Sequence, residues 1–225
     1  AEAGFRTAGF LGSFALERRF AFDQGFSLFD ETFEQMVGER GAEQNQRSAA
    51  ALTDAAIAHL ERDGVPDNLF LFLHYFDPHA PYEPPFPYSS TFRGRPYDGE
   101  IAFTDAEVGR LVEFLRERGL LRTTLVVFTS DHGEGLGEHD EQTHADLIYD
   151  STMRVPLILS HAGLSPEPIV VRDRVAGLVD IVPTVLEGTN DNGPFWRVVV
   201  GPVTTKDDQA QLLAQVRSLG FRDAF

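Results

Sequence analysis

Five of the seven histidines fall in two short polar segments, each placed directly after an apolar run. The first segment reads His74-Tyr75-Phe76-Asp77-Pro78-His79-Ala80-Pro81-Tyr82. The second reads Asp131-His132-Gly133-Glu134, continued by Glu138-His139 and Thr143-His144. A carboxylate beside an imidazole, as in Asp131-His132, can share one divalent cation or serve the two members of a metal pair. Asp131 ahead of a glycine-rich turn is also suited to capping a helix. Gly133, Gly135 and Gly137 allow the backbone to turn tightly and approach a ligand. His139 and His144 then return imidazoles towards the same region.

The neighbouring residues have structural roles to fill. His74 is expected to hydrogen-bond beneath its loop, and Asp77 to cap a turn beside Pro78. Glu134 reads as a cap or loop acceptor, and His139 as a residue that orients the loop. Arg154 is expected to brace the chain before the next strand. Tyr82 suits either a pocket wall or plain packing. The two remaining histidines, His59 and His161, read as surface positions.

The elements that position these segments alternate. Phe5 to Phe14 reads as a helix end and a strand, with Gly4 as a break. Arg47 to Glu61 carries apolar residues at helical spacing. Leu69-Phe70-Leu71-Phe72-Leu73 is a continuous apolar run, suited to a strand buried on both faces. A proline-rich loop follows, and then a helix from about Tyr97 to Arg118, stopped by Gly119. Thr124 to Thr129 reads as a second buried strand, Ala145 to Ser151 as a short helix, and Val155 to Leu159 as a third strand. This order predicts an α/β fold with a mostly parallel sheet. Ligands in such sheets bind beyond the carboxyl ends of the strands, where both histidine segments lie.

Composition narrows the function classes. The net charge of −16 argues against a grip on nucleic acid or on an anionic membrane face, both of which need Lys and Arg. The chain has no cysteine, which removes disulfides, thiolate metal sites and cysteine nucleophiles. No apolar run is long enough for a membrane span, and no signal peptide opens the chain.

The ordered motifs together resemble the sulfatase family of the alkaline-phosphatase-like superfamily. The matching stretch runs from Ser130-Asp131-His132-Gly133-Glu134-Gly135-Leu136-Gly137-Glu138-His139 through Thr143-His144 and Tyr149-Asp150 to Arg154-Val155-Pro156-Leu157. The segment Phe72 to Tyr82 is similar to the family's histidine loop, and Gly4 to Ala8 and Gly25 to Asp30 resemble its middle region. The resemblance covers roughly residues 1 to 187. It implies a three-layer α/β/α sandwich that hydrolyses sulfate esters, with phosphate diesters or phosphonate monoesters as the alternative. Sulfated or phosphorylated small molecules or glycans would be the substrates, and the location would be periplasmic or extracellular. Residue by residue, it implies that Asp131 and His132 bind a divalent metal, calcium in typical sulfatases. His132 as a ligand favours manganese or zinc. It implies further that His79 contacts the ester and helps protonate the leaving oxygen, and that His144 sits against the sulfate and leaving group.

The sequence also departs from the family pattern. A complete sulfatase has paired aspartates on an early strand and a Cys/Ser-x-Pro-x-Arg motif whose first residue becomes formylglycine, the nucleophile. Neither is found here, and the expectation is a chain that begins after those elements and turns over no substrate. Residues 188–194 read as a polar linker. Residues 195–225 read as strand, helix and strand, resembling the second half of a SPOR domain, a module that binds peptidoglycan glycan. The resemblance therefore adds a non-catalytic, peptidoglycan-binding reading. Sheet edges left open beside missing strands would favour a dimer or limited stability.

Overall fold

A computed structural model describes residues 4–37, 43–140, 144 and 148–162, with positions 169–170, 177–178, 181, 189–190 and 193–194 beyond them. The chain divides into two compact units, Ala1–Leu120 and Leu121–Phe225. The readings made for the linker and for residues 195–225 fall outside the described residues, apart from the short strand segments at 189–190 and 193–194.

The first unit is built on a parallel sheet. Its centre is β1 (Arg6–Leu11), flanked by β2 (Leu28–Asp30) and β5 (Leu69–His74). The pairings Ala8↔Leu28 and Ala8↔Leu71 set the register on the two sides. Between β2 and β5 come an antiparallel pair, β3 (Glu34–Val37) and β4 (Glu43–Gln46), and the helix α1 (Ala49–Asp63). The α/β class and the parallel sheet agree with the sequence.

The helix α1 starts where Ser48 Oγ accepts the Ala51 N–H at 3.3 Å, and Gly64 ends it at φ +72°. Leu52, Thr53, Ala56 and Leu60 are buried on one side. Leu52 and Ala56 pack with Ala8 and Phe10 of the sheet, joined by Leu28, Leu71, Leu73 and Tyr75. Full burial of Leu52 removes its side chain from water, and its loss to alanine would cost about 2–5 kcal/mol.

β5 is a correction to the sequence reading. Its residues alternate instead of being buried on both faces. Leu71 and Leu73 face the core under α1, whereas Phe70 and Phe72 are 42% and 36% exposed beside Phe26. The continuous apolar run hid a period of two. His59 is a second correction. Its side chain is only 12% exposed, because its ring packs 5.7 Å from Phe10 while Nδ1 meets Asp63 at 2.9 Å.

After β5 the proline-rich loop leads through a short helix α2 (Tyr88–Thr91) into α3 (Pro96–Glu117). Pro96 opens α3 with its fixed φ, and Asp98 lies in the positive first turn. Gly119 at φ +69° closes it. Arg110 of α3 bonds Asp54 at 2.6 Å and the Ala50 carbonyl at 3.2 Å, tying α3 to α1.

In the second unit β6 (Val126–Thr129) pairs with β7 (Leu157–Ser160), and α4 (Asp150–Met153) lies between them in sequence. The pair is antiparallel, with Val126 opposite Ser160. The sequence reading of a mostly parallel sheet does not extend to these two strands. The segments β8 (Thr189–Asn190) and β9 (Gly193–Pro194) pair as a minimal antiparallel hairpin. Among the described residues no helix is long and apolar enough to cross a membrane. His161, read as a surface position, is half-buried, and burial holds its imidazole below the ordinary histidine range.

Candidate functional site

The histidine loop of the first unit starts at a tight crossing. Gly12, just past β1, lies against the backbone where β5 ends. A Cβ there would stand 2.5 Å from the His74 carbonyl oxygen and 2.8 Å from the Phe76 nitrogen. Beyond it, His79 stacks on Phe76, with ring centroids 4.1 Å apart and planes 22° apart. Its Nδ1 lies 2.8 Å from the Ala80 carbonyl oxygen. A carbonyl only accepts, so Nδ1 carries the proton and Nε2 is the acceptor atom of the neutral ring.

Three groups hold this loop. Asp77 Oδ2 accepts the Ala49 N–H at 2.7 Å, so it serves the start of α1 across 28 residues. This corrects the expectation of a local turn cap. Burial raises the Asp77 carboxyl above the ordinary range, against the lowering effect of that hydrogen bond. Thr104 of α3 donates its hydroxyl to the Asp77 carbonyl at 3.2 Å. Glu100 of α3, 4% exposed, accepts the His79 N–H at 3.1 Å on one oxygen and the Glu83 N–H at 2.6 Å on the other. Burial is the main cause that pushes the Glu100 carboxyl up to about 7, and the Asp77 and Glu83 charges add to it. Sequence reasoning missed Glu100, because a glutamate on an amphipathic helix reads as a solvated position. Tyr82 meets Tyr97 edge-on, with ring centroids at 5.3 Å, and also lines a cavity of about 420 Å³ with Phe92 and Arg93.

In the second unit the loop after β6 folds on itself. Ser130 Oγ donates to the His132 carbonyl at 2.6 Å, and Asp131 Oδ1 accepts the His132 N–H at 2.9 Å. No helix follows Asp131 directly, so its carboxylate caps none; it is 72% exposed. His132 Nδ1 lies 2.8 Å from the Gly133 carbonyl, which again puts the proton on Nδ1. His132 Nε2 then faces Asp131 Oδ2 at 3.7 Å. The loop is pinned to α4 through Gly133, whose N–H donates to the Thr152 carbonyl at 2.8 Å. A Cβ on Gly133 would overlap the Ser151 carbonyl.

His144 returns to this loop. Its ring stacks on His132, with centroids 3.9 Å apart and planes 23° apart. Its Nδ1 lies 3.1 Å from Oε1 of Glu134, whose side chain is only 5% exposed. Glu134 is thus a buried carboxylate that orients an imidazole, an arrangement that fixes ring direction in many hydrolytic and metal sites. His139 lies instead against Tyr149, with ring centroids 4.0 Å apart. Arg154 forms an exposed pair with Asp150 at 3.8 Å. Asp131, His132 and His144 are therefore brought together in the second unit, and His79 stands on its own loop in the first.

Asp131 Oδ2 and His132 Nε2 offer a carboxylate oxygen and an imidazole nitrogen 3.7 Å apart. Two ligands about 2.1 Å from one cation lie about 3–4 Å apart. A complete shell needs four or more donors. Among the described residues no group of three His, Cys, Asp or Glu side chains converges on a common point. The pair fits two positions of a shell.

Comparison with known proteins places the chain. The sulfatase family model matches residues 1–190, and the chain belongs to that family. A SPOR domain model matches residues 171–225. Arylsulfatase K of Bos taurus is 40% identical over 91 residues, which is 40% of this chain and 16% of that protein. The multifunctional alkaline phosphatase superfamily protein PehA of Trinickia caryophylli is 33% identical over 99 residues, 44% of this chain and 19% of that protein. These matches span less than a fifth of the relatives' length. A crystal structure of an alkaline phosphatase superfamily protein from Vibrio parahaemolyticus aligns with a TM-score of 0.58 at 21% identity, covering 92% of this chain and 50% of that one. That likeness shows the fold.

Proposed function

We propose that the chain carries the metal-and-histidine part of a sulfate-ester hydrolase centre. Asp131 and His132 supply two ligands to a divalent cation, and His79 and His144 address the ester. The observation that carries this reading is the 3.7 Å approach of Asp131 Oδ2 and His132 Nε2, with His132 turned by its Nδ1 contact to Gly133. When bound, a cation at this place polarises the ester oxygen. Calcium is the family expectation, and the imidazole donor shifts the preference towards manganese or zinc. His79 presents Nε2 on a loop fixed by its backbone, and when that nitrogen also holds a proton it is suited to protonating a leaving oxygen. His144, oriented by Glu134, can donate to an anionic ester group.

The same chemistry serves phosphate diesters and phosphonate monoesters, which form the second substrate class, in keeping with the likeness to an alkaline phosphatase superfamily protein. The substrate would be a sulfated or phosphorylated small molecule or glycan, met in the periplasm or outside the cell. The 225 residues contain no cysteine and no Ser-x-Pro-x-Arg motif, so the formylglycine nucleophile is not among them. This chain on its own is expected to cleave neither p-nitrophenyl sulfate nor p-nitrophenyl phosphate above background. Metal analysis of the purified chain beside Asp131→Ala tests the ligand assignment. The wild type should retain manganese or zinc that the variant loses, and equal, negligible content in both would sink it.

The SPOR match over residues 171–225 favours a second role, adhesion to peptidoglycan glycan. Co-sedimentation with purified sacculi tests it. Binding that persists in a variant ending at residue 170 would rule the C-terminal segment out as its source.

A further inference from the structure

The buried carboxylate of Glu100 stands outside both histidine motifs and has no part in the metal reading. It is the fifth residue of α3, 4% exposed, where an ionised group is costly unless it is hydrogen-bonded. Both of its oxygens are used, and both partners are peptide N–H groups of the histidine loop: His79 at 3.1 Å and Glu83 at 2.6 Å. Those two groups bracket Ala80, whose carbonyl faces the His79 ring, and Tyr82, which rests on Tyr97 of the same helix.

We propose that Glu100 is the positioning residue of His79, a carboxylate clamp that fixes the path of residues 79–83 and so the direction in which His79 presents Nε2. The proposal rests on the reading of His79 as the residue that addresses the ester. The physical basis is reach. A peptide bond has only φ and ψ to move through, so holding the N–H groups at both ends of a four-residue span leaves the Ala80 carbonyl little freedom. That carbonyl in turn sets the ring through Nδ1. Thr104 adds a third tie one turn further along α3, at the Asp77 carbonyl.

The clamp has a proton-dependent state. The titratable groups that face Glu100 from the loop are Asp77, Glu83 and His79; on α3 itself its neighbours at one turn are Tyr97 and Thr104. Ionised, Glu100 offers an acceptor to each N–H. Protonated, one of its oxygens becomes a hydroxyl, and one of the two N–H groups loses its charge-assisted acceptor.

Solution NMR of the 225-residue chain tests this without any turnover. The Glu100 carboxyl carbon and the amide protons of His79 and Glu83 should titrate together, with one midpoint near 7. In Glu100→Gln both amide steps near that midpoint should vanish. The clamp is overturned if either amide stays flat while the carboxyl carbon titrates, or if the amide steps survive in Glu100→Gln. Should that variant fail to fold, the coincidence of the three wild-type midpoints decides alone. A shared titration in a chain that retains no metal would sink the hydrolase reading and leave the clamp standing. A flat response in a metal-retaining chain would do the reverse.

Discussion

His132 and His144 lie ring against ring, 3.9 Å between centroids, with Glu134 closing the stack on the His144 side. A metal ligand must offer an imidazole lone pair, which His132 has at Nε2, while Glu134 fixes the direction of the other ring.

The first prediction concerns Gly133. Its Cα sits against the Ser151 carbonyl, and an added methyl has backbone in its way. Gly133→Ala should destabilise the second unit by about 1–3 kcal/mol, the usual cost of forcing a tight contact apart. It should also lower metal retention, because Asp131 and His132 move with the loop. Denaturant titration and metal analysis check the two effects. Unchanged stability would mean that α4 does not pin the loop.

Gly12 makes the matching test in the first unit. A Cβ there meets the His74 carbonyl and the Phe76 nitrogen, both backbone. Gly12→Ala should cost about 1–3 kcal/mol and shift the amide resonances of residues 74–80 more than those of α1. A perturbation confined to residues 10–14 would contradict it.

Asp77 separates hydrogen bonding from charge. It accepts the Ala49 N–H at the start of α1, so Asp77→Ala should cost about 1–2 kcal/mol, as loss of a helix cap does. Asp77→Asn keeps an acceptor and removes a charge that burial already penalises. It should retain most of the stability. Equal losses in both variants would show that the charge at the helix start outweighs its burial.

Glu100 predicts a pH dependence with a definite sign. Its carboxyl rises from an ordinary 4.5 to about 7 on folding. Between those values the folded chain holds a proton that the unfolded chain has lost. Protons therefore favour folding in that window, and stability falls as pH rises through it. The slope is at most about 1.4 kcal/mol per pH unit, and the whole drop at most about 3.4 kcal/mol. Glu100→Gln removes this contribution, so the wild-type minus variant difference should decline between pH 4.5 and 7 and level off above. Parallel stability curves for the two proteins would count against a raised Glu100.

The histidine motifs were legible in the sequence because their chemistry is local. Asp131-His132-Gly133 and Phe76 to Tyr82 are short runs in which each ring is set by a carbonyl one residue away. The α/β order was legible for a similar reason, since capping at Ser48 and stopping at Gly64 and Gly119 are written beside the helices they bound. What could not be read is contact across sequence distance. Glu100 lies 21 residues from His79, and Asp77 lies 28 from Ala49. His59 misled because an i,i+4 pair with Asp63 looks solvated, while Phe10 covers the ring from another element. The alternation in β5 was invisible because leucine and phenylalanine are both apolar, and only the position of α1 distinguishes the two faces.

The hydrogen bonds that Glu100 and Thr104 of α3 make to the histidine loop fall on peptide groups. Every amino acid except proline carries the N–H that Glu100 needs. Position 83, whose side chain lines the neighbouring cavity, can therefore change that side chain without releasing the N–H bond. Proline at 79 or 83 is the exception, since it would delete one jaw of the clamp. A scaffold fastened in this way lets substrate preference drift along the loop while the working histidine keeps its place.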